Sequence, residues 1–463
     1  MGGGVRGRRS DLLPMVRGAS ARRLAALDRH TQPRRWEPAA PRTPLATPLG
    51  SSSGVGEEVG LEPGGVAAAH AYLAGLVEAG TTSGACLAVS RHGRRLPVHA
   101  CGRSGPVSTP SITHGLQGGM ELAPDSIFAS ASITKPVTSA AALLLVQEGR
   151  LGLLDRVADH LPAFADGGQK DGVRVWQLLC HVSGLPDSWP GNHPLRSRAA
   201  PLADYTREQL QVPLLFPPGT NVSYSSTAID LVAAIVEQIA GMPLPVFLHQ
   251  RLFEPLGMAD TSLGHGEGYG WSRQKSREVC LNLAPGRYNR AGRTVGGAEE
   301  LPLGSLSFGN SDYWRELGCP SGGMSTTAED LLCLMEGFCQ RAAGEGSAAW
   351  AAPTALPLTA ETVRRMVTPH TEAATAAGAM AEGGLLDDGA WGLGWRVSHA
   401  TGVPVLGTTA TGAFGAHGST GCMAWADPRS GLCVVLLTPE PDLCYSAEFN
   451  HLSDLLQRAV IQP

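Results

Sequence analysis

The chain has 463 residues, 43% of them hydrophobic, and a formal net charge of −5. This length and apolar content are enough for a large buried core. The small net charge gives no reason to expect binding to nucleic acid or to an anionic membrane surface, and no stretch has the roughly eighteen apolar residues of a membrane-spanning helix.

The amino-terminal residues differ in composition from the rest of the chain. Residues 1–48 hold ten Arg and three acidic residues, and residues 40–65 are rich in Pro, Gly and Ser. We therefore predict an extension and linker over 1–65, followed by one folded domain over 66–463. An organellar transit segment and a basic tail without targeting function both fit this composition. Since no apolar run is long enough for a signal peptide, we expect a cytoplasmic or organellar location rather than secretion.

Apolar periodicity predicts strands near both ends of the domain and helices between them. The predicted elements are a helix at 66–79, a hairpin of 84–90 and 96–102, a long helix at 133–149, a helix after Tyr224, a helix at 327–340 with Thr326 and Glu329 in capping-box spacing, a hairpin at 422–438 and a helix at 447–460. Strands in 66–110 and 390–463 would form one sheet from both termini, with a mainly helical middle. The stretches 263–317, 341–357 and 371–388 are expected to be long loops.

A lysine three residues after a serine marks the start of the long apolar helix. Lys and Arg together number 36, but only three are Lys, and one of these is Lys135, which follows Ser132 in an S-x-x-K pattern. Arginine holds its proton at any physiological pH, whereas a lysine can lose it and act as a base. On a helix the i, i+3 spacing places the amine beside the serine oxygen, and we expect the helix N-terminus to lower the pKa of the lysine.

Two other serine motifs give weaker evidence for a nucleophile. Ser272 and Lys275 repeat the S-x-x-K pattern, but they lie in a polar, Gly-rich stretch without helical periodicity. The segment from Gly50 to Gly54 matches G-x-S-x-G, yet it lacks the preceding strand and the following helix that a nucleophile elbow needs. We therefore favour Ser132 as the nucleophile.

Tyr224 follows a Pro-Gly turn and precedes an apolar helix, so its phenol can project into a cleft. A tyrosine beside a lysine cation can relay protons, although a lone tyrosine at such a place is more often a packing residue. The ten cysteines form no C-x-x-C pair and no metal-ligand pattern with His. Free buried thiols are the expected state, and we predict neither a metal nor a cofactor.

Several further segments resemble the serine β-lactamase and penicillin-binding-protein superfamily, in its class-C-like branch. The resemblance runs from about residue 68 to the C-terminus and rests, besides Ser132 to Lys135, on the segments Leu178–Leu185, Phe216–Thr220, Glu254–Met258, Pro320–Met324, Trp391–Trp395 and Phe414–Gly421. It implies an α/β (α+β) fold of the β-lactamase/transpeptidase type. In that fold a five-stranded antiparallel sheet is flanked by helices, and the active site lies between the sheet and a helical subdomain.

The resemblance also implies residue roles. Ser132 would be the nucleophile, Lys135 its activating amine and Tyr224 the proton relay to the leaving group. The backbone amides of Ser132 and Ser419 would form the oxyanion hole, and Ser226, His417 and Gly418 would complete the substrate side of the site.

Two positions depart from the family pattern. Ser226 stands where relatives have Asn, so binding of a substrate amide carbonyl is weakened. Relatives have Lys or His followed by a small residue and Gly, whereas this chain has Ala416, His417 and Gly418. A shift of one residue turns His417 to the opposite face of its strand, unless a bulge restores it.

The resemblance implies a serine hydrolase that works through an acyl-enzyme on ester, amide or lactam carbonyls of a small-molecule or peptide substrate. The two departures make ester hydrolysis easier to envisage than β-lactam turnover. The alternative is a structural, filament-forming protein on the same fold. The sequence does not predict the oligomeric state.

Overall fold

The computed structural model describes residues 55–104, 121–264, 311–344, 350–371, 390–398, 410–440 and 443–461. The helices are α1 Val55–Glu58, α2 Pro63–Glu78, α3 Thr134–Gln147, α4 Val157–His160, α5 Val175–Leu179, α6 Asn192–Ser197, α7 Leu202–Gln209, α8 Ser226–Ala240, α9 Leu244–Leu248, α10 Glu254–Leu256, α11 Asp312–Leu317, α12 Ala328–Ala343, α13 Ala360–Met366 and α14 Ala447–Arg458. The strands are β1 Gly84–Arg91, β2 Arg94–Arg95, β3 His99–Gly102, β4 Phe128–Ala129, β5 Ser262–Leu263, β6 Met324–Thr326, β7 Ala390–Trp391, β8 Arg396–Val397, β9 Phe414–Gly418, β10 Cys422–Asp427 and β11 Leu432–Leu437.

The main sheet joins the two ends of the chain. Its strand order is β2-β1-β11-β10-β9-β8-β7, with β3 also paired to β1, and the pairings are antiparallel. The amino-terminal hairpin meets the carboxy-terminal one where Cys86 pairs with Leu437. Five strands of this sheet have four or more residues, and β2, β7 and β8 have two each. The predicted fold class is confirmed, and the antiparallel sheet is built from both ends of the chain, but it has eight strands where five were expected.

Alternate residues of the central strands face two separate hydrophobic cores, as the pleat requires. On one face, Val434 and Trp425 pack in a cluster with α2 and α14. On the other face, Val435 and Ala424 belong to the larger cluster that contains α3, α8 and α12. Both faces of the sheet are therefore covered by helices.

The helical middle is organised around α3 and α8, which pack against each other. Every residue of α3 from Thr134 to Val146 is buried, including its polar residues. A small sheet, in the order β4-β6-β5, runs beside the start of α3. Among the described residues no single helix is long and apolar enough to cross a membrane. The helix α8 and the segment 244–256 are long and apolar enough only when counted together, and the chain bends by 77° between them.

The described fold begins before the predicted domain boundary. Leu61 is fully buried and bridges to Val460, and Arg91 donates a hydrogen bond to the carbonyl of Ile461. Residues 55–65, predicted as part of the linker, are therefore packed on the domain. The predicted extension over 1–54 lies outside the described residues.

The start of α12 differs by one residue from the predicted capping box. Thr327 is the N-cap, and its hydroxyl accepts a hydrogen bond from the Asp330 N–H at 3.2 Å. Thr326 instead ends β6, and its hydroxyl lies 2.7 Å from that of Thr261. The predicted long loops fall largely outside the described residues, but α11 lies within the first of them.

Candidate active site

Ser132 lies on a 3-10 turn, Ala131–Ile133, that leads directly into α3. Ala131 has a φ of 45°, a left-handed conformation that is uncommon for a residue with a side chain and that clusters at functional sites. Ser130 fixes this turn to β6, because its hydroxyl and its N–H each lie 2.9 Å from the carbonyl oxygen of Met324. The strained turn therefore presents Ser132 at the beginning of α3.

Lys135 lies one helical turn after Ser132 and contacts its hydroxyl. The Lys135 Nζ donates hydrogen bonds to Ser132 Oγ at 3.0 Å and to the Ser321 carbonyl oxygen at 2.9 Å. It also lies 4.7 Å from the centre of the Tyr224 ring, and the side chain is 3% exposed. The structure thus brings together the serine, the lysine and the tyrosine that the sequence singles out.

The pKa of Lys135 moves in the direction opposite to our prediction. Burial alone would lower this pKa, but Tyr224, Asp187 and Asp230 outweigh burial and raise the pKa above its ordinary value. The predicted lowering by the helix N-terminus is therefore wrong. Lys135 is an ammonium at neutral pH, and it donates hydrogen bonds to its partners instead of accepting a proton from Ser132.

A second lysine shows that the scarcity of lysine does not by itself mark a catalytic group. Lys170 is also 3% exposed, but it donates to the carbonyl oxygens of Leu210 and Val212 and so joins two segments of the subdomain. Contact with Ser132 distinguishes Lys135 from Lys170. Ser272 and Lys275 lie outside the described residues.

Tyr224 is half-buried in an aromatic environment. Its ring centre lies 4.8 Å from that of His181 and 5.7 Å from that of Trp391, and His181 and Trp391 meet edge to face at 4.4 Å. Because aromatic rings on two sides limit the movement of the phenol, Tyr224 is held over the Lys135 ammonium.

His181 supports this arrangement as a neutral imidazole. Burial, together with the charges of Lys135 and Arg396, lowers the pKa of His181 to about 3. Its Nδ1 accepts a hydrogen bond from the N–H of Ser225 at 3.2 Å, so the neutral ring carries its proton on Nε2. His181 also has a φ of 58°, a second left-handed residue beside the site. The sequence places His181 in a family motif but does not indicate this packing role.

A tight turn after β9 lies next to the nucleophile. The N–H of Gly421 bonds the carbonyl of Gly418 at 2.9 Å, and the Thr420 hydroxyl bonds the carbonyl of Ala129 at 2.6 Å. A Cβ on Gly418 would collide with the carbonyl oxygen of Ser130, so only glycine allows this approach. Ser419 thereby shares a cavity wall with Ser132, and the oxyanion hole formed by their amides stays a prediction.

The cavity at the nucleophile has a volume of about 490 Å³, which is in the usual range for small-molecule sites. It extends from Ser132 and Ser419 along one face of α8, where Ser226, Asp230 and Glu237 lie on the wall. The opposite walls are formed by α6, α7, α11 and the loop of residues 319–322. Ser226, predicted as a substrate contact, does line this space.

His417 is not among the residues that line this cavity, and neither are Ala416 and Tyr224. The pairing of β9 with β10 is continuous from Phe414 to Gly418, so the bulge that could restore His417 does not form. The His417 Nε2 instead lies 3.4 Å from Nη1 of Arg396 on β8. Ala416 shares a strand face with Gly418, which approaches the nucleophile, and it is 7% exposed. The strand face that approaches the nucleophile therefore carries the Ala416 methyl group.

Two carboxylates at the site were missed from the sequence. Asp187 Oδ1 accepts a hydrogen bond from the Ser226 N–H at 2.7 Å, and Asp230 Oδ2 accepts one from Gln209 Nε2 at 2.7 Å. Asp230 could have been noticed as a lone acid in the first half of an otherwise apolar helix. Asp187 follows a family motif by two residues and carries no comparable signal.

The described residues contain neither a disulfide nor a metal-binding cluster. All nine cysteines within these ranges are free. The same ranges contain no group of three His, Cys, Asp or Glu side chains arranged to hold a metal ion.

Comparisons with known proteins agree on the family. The Beta-lactamase family model matches residues 69–443. An Escherichia coli K12 protein named as a D-alanyl-D-alanine carboxypeptidase is 27% identical over 340 residues, which are 68% of this chain and 69% of the relative. Esterase EstB of Burkholderia gladioli is 29% identical over 273 residues, 55% of this chain and 64% of the esterase.

Solved structures show the same fold. EstCE1, described as a hydrolase with promiscuous acyltransferase activity, superposes with a TM-score of 0.64 at 22% identity, covering 86% of this chain and 99% of its own. A penicillin-binding protein homologue from Caulobacter crescentus gives a TM-score of 0.63 at 22% identity and the same coverage. At this identity the superpositions support the architecture alone.

Proposed function

Because this chain belongs to the beta-lactamase family and is a serine hydrolase, we propose that it cleaves esters whose acyl group carries no carboxylate, through an acyl-enzyme on Ser132. The observation that carries the catalytic part is the 3.0 Å contact between Lys135 Nζ and Ser132 Oγ, with the Tyr224 ring 4.7 Å from the same ammonium. The nucleophile and a fixed cation line one cavity, and the proton acceptor lies beside that cation.

Acylation would begin with attack of Ser132 Oγ on the ester carbonyl carbon. When the coupled Lys135–Tyr224 pair has lost one proton, Lys135 keeps its own, because its pKa is raised. The Tyr224 oxygen then accepts the Ser132 proton, and the ammonium stabilises the negative charge that develops between them. As the bond to the leaving oxygen breaks, Tyr224 returns the proton to that oxygen and an alcohol departs.

Deacylation would use the same groups in reverse. A water molecule attacks the acyl carbon, Tyr224 accepts its proton, and that proton passes to Ser132 Oγ as the carboxylic acid leaves. The amides of Ser132 and Ser419 are proposed to bind the oxyanion in both steps. Each such donor is typically worth about 10² to 10³ in rate.

The preference for uncharged esters follows from the cavity wall. Ala416 replaces the cation that relatives carry at this position, so a carboxylate on the acyl donor, as penicillins have, lacks a positive partner there. Asp187 and Asp230 line the cavity close to Lys135 and repel a substrate anion there, whereas Arg196 lines the cavity on α6. An ester needs less positioning than an amide because its leaving group is better.

Mass spectrometry of the intact protein tests the proposal. We expect a short-chain alkyl fluorophosphonate to add to Ser132 in the natural protein and not in Ser132→Ala, and we expect a penicillin to add at least tenfold more slowly. Absence of a fluorophosphonate adduct on folded protein would refute the acyl-enzyme mechanism. Rapid and complete acylation by the penicillin would refute the ester preference alone.

A further inference from the structure

We propose that Asp230, for which no family motif assigns a role, is a positioning residue that holds the Lys135 ammonium and the loop of residues 319–322 in their reactive arrangement. The inference rests on the proposed acyl-enzyme function and concerns the control of the same site. It starts from the position of Asp230 on α8, one helical turn after Ser226, on the cavity wall.

The loop of residues 319–322 is attached to α3 through two backbone carbonyls. Thr138 Oγ1 donates to the carbonyl oxygen of Pro320 at 2.6 Å, and Lys135 Nζ donates to that of Ser321 at 2.9 Å. Any shift of this loop would therefore move a hydrogen-bond acceptor of the catalytic ammonium. The position of Lys135 depends on the position of the loop.

Asp230 holds the same loop from the opposite side. Its Oδ1 lies 3.9 Å from the Cys319 Sγ, and the Cys319 Sγ lies 3.4 Å from Ser321 Oγ. Burial raises the pKa of the Asp230 carboxyl, and hydrogen bonding from the Ser321 and Gln209 side chains opposes that rise. Gln209 on α7 orients that carboxylate through its 2.7 Å hydrogen bond to Oδ2. Asp230 thus connects α7 and α8 to the loop that carries the Lys135 acceptor.

Asp230 also acts on Lys135 through its charge. The titratable groups that face Lys135 are Tyr224, Asp187, Asp230, His181 and Cys319. Burial and Asp230 raise the pKa of Cys319 to about 12, and burial lowers the pKa of His181 to about 3, so both are neutral near pH 7. The groups that raise the pKa of Lys135 against its burial are therefore Tyr224, Asp187 and Asp230.

Removing the Asp230 charge should shift the pH profile of Ser132 reactivity in one direction. A nearby carboxylate disfavours every loss of a proton around Lys135, so it moves both limbs of a pH profile that reports those losses to higher pH. In Asp230→Asn both limbs of the pH profile for Ser132 reactivity should move to lower pH, by on the order of 0.5 to 1 unit. A purely structural role would lower the rate at every pH and leave the midpoints unchanged.

The test measures the rate of Ser132 phosphonylation by a short-chain alkyl fluorophosphonate from pH 5 to 11, by intact mass, in folded full-length protein. We expect Asp230→Asn to shift both midpoints downward and Asp230→Glu, which keeps the charge, to restore them toward those of the natural protein. The matched control is Glu237→Gln, seven residues and about 10 Å further along α8 on the same cavity wall, which should leave both midpoints in place.

The outcomes separate this inference from the proposed function. If Ser132 in the natural protein does not react at any pH, the acyl-enzyme mechanism fails. If the natural protein reacts but Asp230→Asn has unchanged midpoints, or Asp230→Glu shifts as far as Asp230→Asn, the role of Asp230 is refuted while the mechanism stands. A shift of equal size in Glu237→Gln would also refute it, because the effect would then not be specific to the position of Asp230.

Discussion

The two sides of the catalytic cavity differ in how far they keep the family pattern. On the side of α3, Ser132, Lys135 and Tyr224 lie in contact and are held by a strained turn, by β6 and by two aromatic rings. On the side of β9, Ala416 lies on the strand face that approaches the nucleophile, and His417 contacts Arg396. Under the proposed function, this difference means that activation of the nucleophile and selection of the acyl donor depend on separate elements, so one can change while the other is kept.

The largest expected effect comes from the α3 side. Ser132→Ala removes the nucleophile, and Lys135→Arg replaces a compact ammonium with a planar group that cannot make the same contacts. We expect both variants to lose about 10³-fold or more in kcat/KM on a p-nitrophenyl ester.

Lys170→Arg is the matched control for the lysine change. Lys170 is equally buried, but its ammonium binds the carbonyl oxygens of Leu210 and Val212 and lies 4.5 Å from the centre of the Phe164 ring, so a folded variant should keep its activity. Appreciable activity in Lys135→Arg, or a loss in folded Lys170→Arg as large as in Lys135→Arg, would contradict the account of this side of the cavity.

Tyr224→Phe should have the next largest effect. The ring stays between His181 and Trp391, but the oxygen that accepts and returns the proton is lost. We expect a decrease in kcat of about 10² to 10³, with little change in thermal stability, since general acid–base groups typically contribute in this range. Unaltered kcat would mean that another group relays the proton.

A smaller effect is expected on the β9 side. Ala416→His returns the family's cation to the strand face that approaches the nucleophile. It should raise acylation by a penicillin, relative to acylation by a neutral ester, about tenfold, which corresponds to about 1.4 kcal/mol in the transition state. His417→Ala, on the opposite strand face, should leave this ratio unchanged. If Ala416→His and His417→Ala changed this acylation ratio equally, the separation of the two sides would be disproved.

The effect of His181 is on stability rather than on chemistry. Its pKa is about 3 in the folded protein and near 6.5 in an unfolded chain, so below pH 6.5 the unfolded state takes up a proton that the folded state does not. The stability contributed by neutral His181 is complete above pH 6.5 and is lost as the pH falls toward 3. In His181→Gln, the free energy of unfolding should fall less steeply with acid, by up to about 1.4 kcal/mol per pH unit. Parallel curves from urea unfolding at pH 7, 5.5 and 4.5 would show that this histidine is not buried neutral.

The sequence predicted the architecture and the central contact because both depend on local patterns. Alternation and helical periodicity specify the two hairpins and α3, and the i, i+3 spacing alone brings Lys135 to Ser132. The helix boundaries were close to those of the structure, and the capping residue of α12 was displaced by one position. The amino-terminal boundary was placed too late, because the burial of Leu61 depends on a bridge to Val460, some four hundred residues further along the chain.

The electrostatics of the site depend on such distant contacts as well. The pKa of Lys135 was predicted in the wrong direction because Asp187 and Asp230 reach it from other elements, and no spacing rule connects them to Ser132. The neutral state of His181 likewise follows from burial and from the charges of Lys135 and Arg396. For His417, the sequence left open whether a bulge would return it to the cavity, and only the continuous pairing with β10 decides this.

The most direct test of the central claim compares two p-nitrophenyl esters of equal size, one with a neutral acyl group and one with a carboxylate at the end of that group. Intact activation and the absence of a cation at Ala416 together predict measurable turnover of the neutral ester, with kcat/KM at least tenfold above that of the anionic one, and loss of both activities in Ser132→Ala. Equal or faster turnover of the anionic ester would contradict the account, because it would require a positive partner that the Ala416 side of the cavity does not provide.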